Sequence, residues 1–170
     1  PCMFVQNHVS VMDGHMASYV IPQPFCGLMK AEHFKIPAYG WVMKHTQGIP
    51  VYSRDSGRTH EITEHARNRI DNGLSILAFP EGHRTTSGEM RPFKRGVFFM
   101  ARDAGIPVVP LAVRGMFELN HKGEWRFSPG PVDVYVGAQV PTAELDDEGV
   151  HALAAQMHDV VEAFVVRGEL

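Results

Sequence analysis

The chain has 170 residues, of which 44% are hydrophobic and 21% charged, and its formal net charge is −3. That length and apolar content suit one domain with a real core. The mild acidic balance argues against a large nucleic-acid-binding face but leaves room for local basic patches.

In chain order, Met3 to Gln6 reads as a short buried strand ending at Asn7-His8, and a helix is expected from Ser10 toward Tyr19. Ile21-Pro22-Gln23-Pro24 breaks it. Gly27 to Lys35 is expected to form a short helix that Ile36-Pro37 ends, because the residue before proline avoids the helical region. Tyr39 to His45 reads as one or two further helical turns. Gly48 to Tyr52 reads as a strand ending at Ser53-Arg54.

Thr59 to Asp71 is an amphipathic helix, with Ile62, Ala66 and Ile70 four apart and Asn72-Gly73 as its stop. Leu74 to Phe79 is an apolar strand that turns out through Pro80-Glu81-Gly82. Lys94 to Ala104 reads as a helix closed by Gly105. Ile106 to Val113 is a strand interrupted by Pro107 and Pro110, which points to an edge, a bulge or a switch point. Val132 to Val136 alternates as a late strand. Asp146 to Arg167 is a long helix with Val150, Leu153, Met157, Val160, Val161 and Phe164 on one face.

Strands therefore alternate with helices, which predicts a single-domain α/β sandwich with a largely parallel central sheet. Chemistry in such a fold belongs at the carboxyl ends of the strands. His8, Arg54 and the Glu81-Gly82 turn each follow an expected strand directly.

Two cysteines, Cys2 and Cys26, make neither a disulfide framework nor a zinc motif, so a reducing compartment is expected. Ten histidines include no H-E-x-x-H run and no tight His/Cys cluster, so no metal site is expected. No stretch approaches the ~20 apolar residues of a spanning helix, and none reads as a signal peptide. The chain opens on Pro1-Cys2-Met3, already within a strand. It is expected to be one domain over residues 1–170, cut from a longer protein that carries any membrane-associating segment upstream.

His8 and Asp13 carry the strongest chemical signal. A neutral imidazole takes a proton at neutral pH, and a carboxylate on its far nitrogen fixes the tautomer and raises its basicity. A second reading of the same residues stands beside this one. Ser10-Val11-Met12-Asp13 fits a capping box, in which Asp13 satisfies backbone amides and His8 merely ends a strand.

In Phe79-Pro80-Glu81-Gly82-His83-Arg84, a glycine lets backbone approach a ligand closely. Amides there suit an anion or oxyanion, and Arg84 offers a planar fork for phosphate. The plain alternative is a turn with a surface Glu81–Arg84 pair. Arg54 at a strand end and Lys30 in Met29-Lys30-Ala31-Glu32 are further cations whose plain reading is a solvated surface.

Taken together and in order, these elements resemble the glycerolipid acyltransferase family. Its N-H-x-S-x-x-D block is met by Asn7, His8, Ser10 and Asp13. Its G-x-x-F-I-D-R block is met by Gly48 and Arg54, and its F-P-E-G-T-R-S block by Phe79, Pro80, Glu81, Gly82 and Arg84. A V-P-V-V-P-V-like strand is met by Ile106 to Val113. A K-x-E-L-x-x-I-P-x-x-G stretch matches Lys30, Glu32, Ile36, Pro37 and Gly40. The resemblance covers about residues 3 to 115, and ordered motifs are far more specific than any one alone.

The resemblance implies acyl transfer from acyl-CoA or acyl carrier protein, as co-substrate and with no cofactor, to the free hydroxyl of 1-acyl-sn-glycerol-3-phosphate. His8 would be the general base and Asp13 its orienter. Lys30, Arg54 and Arg84 would hold the acceptor's phosphate, Gly82 would contribute amides, and Glu81 would order that loop. A membrane surface is the expected partner, and the cytoplasmic face of a membrane the expected location. Ser53 and His83 depart from the aspartate and threonine of the second and third blocks, which keeps another lysolipid open as acceptor. Two other readings are a non-catalytic lipid- or anion-binding domain and a hydrolase using Cys26 or a serine. No G-x-S-x-G elbow supports the last.

Overall fold

Strand β1 (Met3–Gln6) is buried along its whole length because it lies between two parallel neighbours. The structure is a computed structural model that describes residues 1–53 and 56–168. The other strands are β2 (Phe25–Lys30), β3 (Ile49–Val51), β4 (Ser75–Ala78), β5 (Val108–Arg114) and β6 (Asp133–Val136). They form one sheet in the order β3-β2-β4-β1-β5-β6. Every pairing is parallel except β5 with β6, which is antiparallel. The expected largely parallel α/β sandwich is the fold observed.

The helices are α1 (Asp13–Val20), α2 (Tyr39–His45), α3 (Thr59–Asp71), α4 (Gly96–Asp103), α5 (Met116–Leu119) and α6 (Asp147–Arg167). Successive strand residues face opposite sides of the sheet. Met3 and Val5 thus join the core under α3, α4 and α6, with Ile62, Ala66, Phe98, Ala101, Leu153 and Met157. Cys2 and Phe4 pack on the other face against Ala17 and Ile21. Phe98 is fully buried, so its truncation to alanine is expected to cost about 3–5 kcal/mol. The α6 helix starts where Asp146 Oδ1 accepts the Gly149 N–H at 2.8 Å, which satisfies one of the open donors of its first turn.

Three local expectations are corrected. Gly27 to Lys35 is not a helix. Its first half belongs to β2, and a 3-10 turn follows over Ala31–Lys35. The reason is non-local: β2 pairs with β4 through Phe25–Gly27 and with β3 through Leu28–Lys30, and two ladders outweigh local propensity. Pro110 lies in an interior strand and not at an edge, and of the readings its proline allowed the bulge is the one found: Leu111 faces Val136, but Val108 bridges Val140, a slip of one residue. Its carbonyl accepts the Gly137 N–H at 2.9 Å, so its nitrogen faces the same side, beyond the last paired residue of β6, Val136. Finally, α1 begins at Asp13, because residues 8–10 wrap around that carboxylate.

Candidate active site

The strand order β2-β4-β1 brings the carboxyl ends of three parallel strands side by side. Lys30 ends β2, the Phe79–Arg84 turn leaves β4, and Asn7-His8 leaves β1. His8 and Glu81, 73 positions apart, therefore share one sheet edge. Arg54 lies outside the described residues.

Asn7 clamps the end of β1. Its Nδ2 donates to the Val113 carbonyl at 2.8 Å and its Oδ1 accepts the Val113 N–H at 2.9 Å. His8 is then held at four points. Its N–H donates to Glu81 Oε1 at 2.7 Å, and its carbonyl accepts the Thr85 N–H at 3.0 Å. Its ring stacks on Phe79, with centroids 4.2 Å apart, and Nδ1 lies 2.7 Å from Asp13 Oδ2. The side chain of His8 keeps 24% exposure, whereas that of Asp13 keeps 1%.

Asp13 Oδ2 also accepts the N–H groups of Val9 and Ser10, at 2.8 and 2.9 Å, and Ser10 Oγ accepts the Met12 N–H at 3.2 Å. The two readings of Asp13 thus hold together: one oxygen closes the local turn and anchors the imidazole. Nδ1 donates to this oxygen, so the lone pair sits on Nε2, on the exposed side of the ring. A buried carboxylate held by two amides cannot swing away, which makes the ring's orientation a property of the fold.

Glu81 is buried and bridges two segments. Its Oε1 takes the His8 amide and its Oε2 takes the Arg91 amide at 3.0 Å. Burial pushes its carboxyl above the usual range, while the two amide donors pull it back. It makes no ion pair with Arg84 among the described residues, so the surface-pair reading of this turn does not hold. Gly82 has φ +79°, a conformation that favours glycine, and a Cβ there would press on the Lys94 ammonium.

Lys94 does not stand out in the sequence, because no local pattern sets it apart from an ordinary helix-start lysine. Its N–H donates to the Pro80 carbonyl at 2.9 Å, which folds residues 85–93 back onto the turn. Around exposed His83, the charge of Lys30 first, then burial, then Lys94, Lys122 and Arg91, hold the imidazole below its usual range. The Tyr39 hydroxyl, raised chiefly by burial, also feels Arg84. Lys30, Lys94, Lys122 and Arg91 thus surround His83 with positive charge, a cationic mouth on the turn that also carries Glu81 and a setting that favours an anion.

Cys26 is buried in the core within β2, and burial pushes its thiol up to about 11. A thiol so disposed is no nucleophile, which removes the Cys26 hydrolase reading. No helix among the described residues is long and apolar enough to cross a membrane.

A largely parallel α/β sheet with a carboxylate-anchored histidine at its carboxyl edge defines the class, an α/β protein with a positioned base candidate where its strands end. A family model described as Acyltransferase matches residues 1–114, and the chain belongs to that family. It is 29% identical over 162 residues to the chloroplastic 1-acyl-sn-glycerol-3-phosphate acyltransferase BAT2 of Brassica napus, covering 93% of this chain and 47% of that protein. To the 1-acyl-sn-glycerol-3-phosphate acyltransferase of Pseudomonas aeruginosa it is 28% identical, over 97% of this chain and 62% of the other. The crystal structure of the 1-acyl-sn-glycerophosphate (LPA) acyltransferase PlsC from Thermotoga maritima superposes with a TM-score of 0.82 at 27% identity, over 97% of this chain and 65% of that one. The chain spans about half the length of the first plant relative.

Proposed function

We propose that this domain transfers a fatty acyl group from a thioester donor, acyl-CoA or acyl carrier protein, to the free hydroxyl of 1-acyl-sn-glycerol-3-phosphate. The observation that carries the reading is the 2.7 Å contact between His8 Nδ1 and buried Asp13 Oδ2, which leaves Nε2 to act as base beside a cluster of cations. The names of the relatives agree with it.

In the reaction, Nε2 takes the hydroxyl proton as the oxygen attacks the thioester carbonyl carbon. Asp13 stabilises the imidazolium that forms. The tetrahedral intermediate collapses, the C–S bond breaks, and the departing thiolate takes the proton back from His8. No covalent acyl-enzyme is needed, because a thioester is already activated. Lys30, Arg84 and Arg54 hold the acceptor phosphate, while Glu81 and Gly82 shape the loop whose amides face the developing oxyanion. No cofactor takes part. The domain acts at the cytoplasmic face of a membrane, peripherally or through a segment outside this chain.

A second acceptor is favoured by one observation. His83 stands in the turn where the family pattern has threonine, and it sits among Lys30, Lys94 and Lys122. A different lysolipid headgroup fits that change. Mass-spectrometric detection of acyl transfer to a panel of lysolipids, with His8→Ala in parallel, tests both. Transfer to lysophosphatidic acid that disappears in the variant is the expected result. Transfer only to another lysolipid reassigns the acceptor. Full activity in His8→Ala sinks the mechanism.

A further inference from the structure

The segment that follows Lys30 departs from ordinary surface chemistry. The 3-10 turn and α2 expose Ile36 (48%), Tyr39 (40%), Trp41 (63%) and Val42 (41%) to solvent. Gly40 is the only buried residue of α2. A Cβ there would overlap the Phe34 carbonyl, so this glycine lets the helix lie flat on the 3-10 turn. On the outward side Trp41 lies against His45 of the same helix, ring centroids 3.9 Å apart, and Tyr39 meets His33 edge-on at 6.0 Å.

A strained turn leads into that face. Ala38 has φ 60° and ψ −55°, and the Tyr39 N–H donates to the Pro37 carbonyl at 2.7 Å. This is a γ-turn of the positive-φ kind, which residues other than glycine seldom adopt. An outlier of this sort, next to a cluster of exposed aromatic and aliphatic side chains, motivates a functional reading.

Charge indicates the occupant. Residues 30–45 carry Lys30, Lys35 and Lys44 against a single carboxylate, Glu32, in a chain whose net charge is −3. Trp and Tyr with flanking lysines form the composition that settles at a lipid headgroup boundary, where rings enter the acyl region and ammonium groups meet anionic lipid. The segment also continues directly from Lys30 into the cationic mouth. An amphiphilic acceptor entering there from a bilayer would not have to leave it entirely.

We propose that Ile36, Tyr39, Trp41 and Val42 insert into the surface of an anionic bilayer and seat the cationic mouth on the membrane. The point of the seating rests on the acyltransferase reading; the binding itself does not. The other exposed tryptophan, Trp125, lies in a loop near an apolar groove of about 460 Å³ lined by Met12, Met16, Tyr19, Met116, Leu119 and Phe127. It lacks the lysine run of residues 30–45 and serves as an internal control.

The test uses single-tryptophan variants, Trp125→Phe to report Trp41 and Trp41→Phe to report Trp125. Vesicles of phosphatidylcholine alone are compared with vesicles containing phosphatidylglycerol, which is anionic and is not the acceptor. The expected result is a blue shift of Trp41 emission with the anionic vesicles only. Trp41→Ser/Val42→Ser, both exposed and therefore expected to fold, should then partition onto these vesicles roughly tenfold more weakly. No Trp41 shift, a shift confined to Trp125, a shift that tracks protein concentration without vesicles, or unchanged partitioning of the double variant would overturn the proposal. Turnover separates this result from the enzymatic reading. The double variant should keep parental rates on a short-chain acceptor dissolved as monomer and lose rate on vesicle-borne acceptor. A protein that binds vesicles through Trp41 but turns over neither acceptor leaves the docking proposal standing and refutes the acyltransferase.

Discussion

Glu81 holds His8 by its backbone, with Oε1 accepting the His8 N–H at 2.7 Å while Oε2 accepts the Arg91 N–H at 3.0 Å. One buried carboxylate therefore ties the end of β1 to the loop that carries Lys94. Burial raises its folded pKa above the usual 4.5. The folded state thus binds this proton more readily than the unfolded chain. The stability contributed by the group is highest below 4.5 and falls as pH rises through the raised folded value. Glu81→Gln abolishes that titration and sets an amide NH₂ against one backbone donor, a pH-independent loss of about 1–3 kcal/mol. Urea midpoints across mildly acidic pH should show the deficit of the variant shrinking as pH rises. A constant deficit would refute the assignment.

Asp13 offers a cleaner separation of fold from chemistry. Three donors converge on Oδ2, while Oδ1 is buried with no partner among the described residues. Asp13→Asn can keep its oxygen at the Oδ2 position and place NH₂ at the other. Its thermal midpoint should therefore lie close to the parent's, but the imidazolium loses its counter-charge. Turnover should fall by a factor of about 10² to 10⁴, as for His8→Ala. A variant with the parent's melting curve and the parent's rate would remove Asp13 from the mechanism.

The cationic mouth can be read through His83. Lys30 is the largest single cause of its lowered pKa. Lys30→Met should raise the His83 pKa toward the usual 6.5, followed by NMR titration of the imidazole. Inorganic phosphate added to the parent should move it the same way, since a bound anion favours the imidazolium. If neither shift occurs, the two side chains do not share a site.

Gly82→Ala combines two costs, a positive φ and a Cβ directed at the Lys94 ammonium. Together these should lower stability by about 1–3 kcal/mol. Lys94→Ala removes the clash but not the strain, so the double variant should be more stable than the sum of the single losses predicts. A double-mutant cycle measures that coupling, and strict additivity would show that the ammonium does not rest on the turn.

Cys26 is 1% exposed and its thiol is pushed up to about 11. Iodoacetamide should leave it unmodified in the folded protein and label it in urea, as read by intact mass. Labelling under native conditions at the rate of a free thiol would contradict its place in β2.

Much of this protein is legible along the chain. Alternation of strand and helix, the start of α3 at Thr59 and the run that forms α6 follow from local periodicity, which needs no partner to be read. The His8–Asp13 contact was legible too, because five residues span it and a single turn closes it. Other features rest on partners far away in sequence. Gly27 to Lys30 is strand, not helix, because β3 and β4 offer ladders on both sides. Pro110 is tolerated inside the sheet because β6 ends opposite it. Glu81 reaches His8 only once parallel pairing has set β1 beside β4, and Lys94 reaches Gly82 only where the loop after β4 folds back on Pro80. The sequence by itself determined the alternation of strands and helices and the local His8–Asp13 contact, since these depend on neighbours a few positions apart. The tertiary structure alone decided which side chains meet and which carboxylate is buried, because burial and strand register are set by contacts between residues dozens of positions apart.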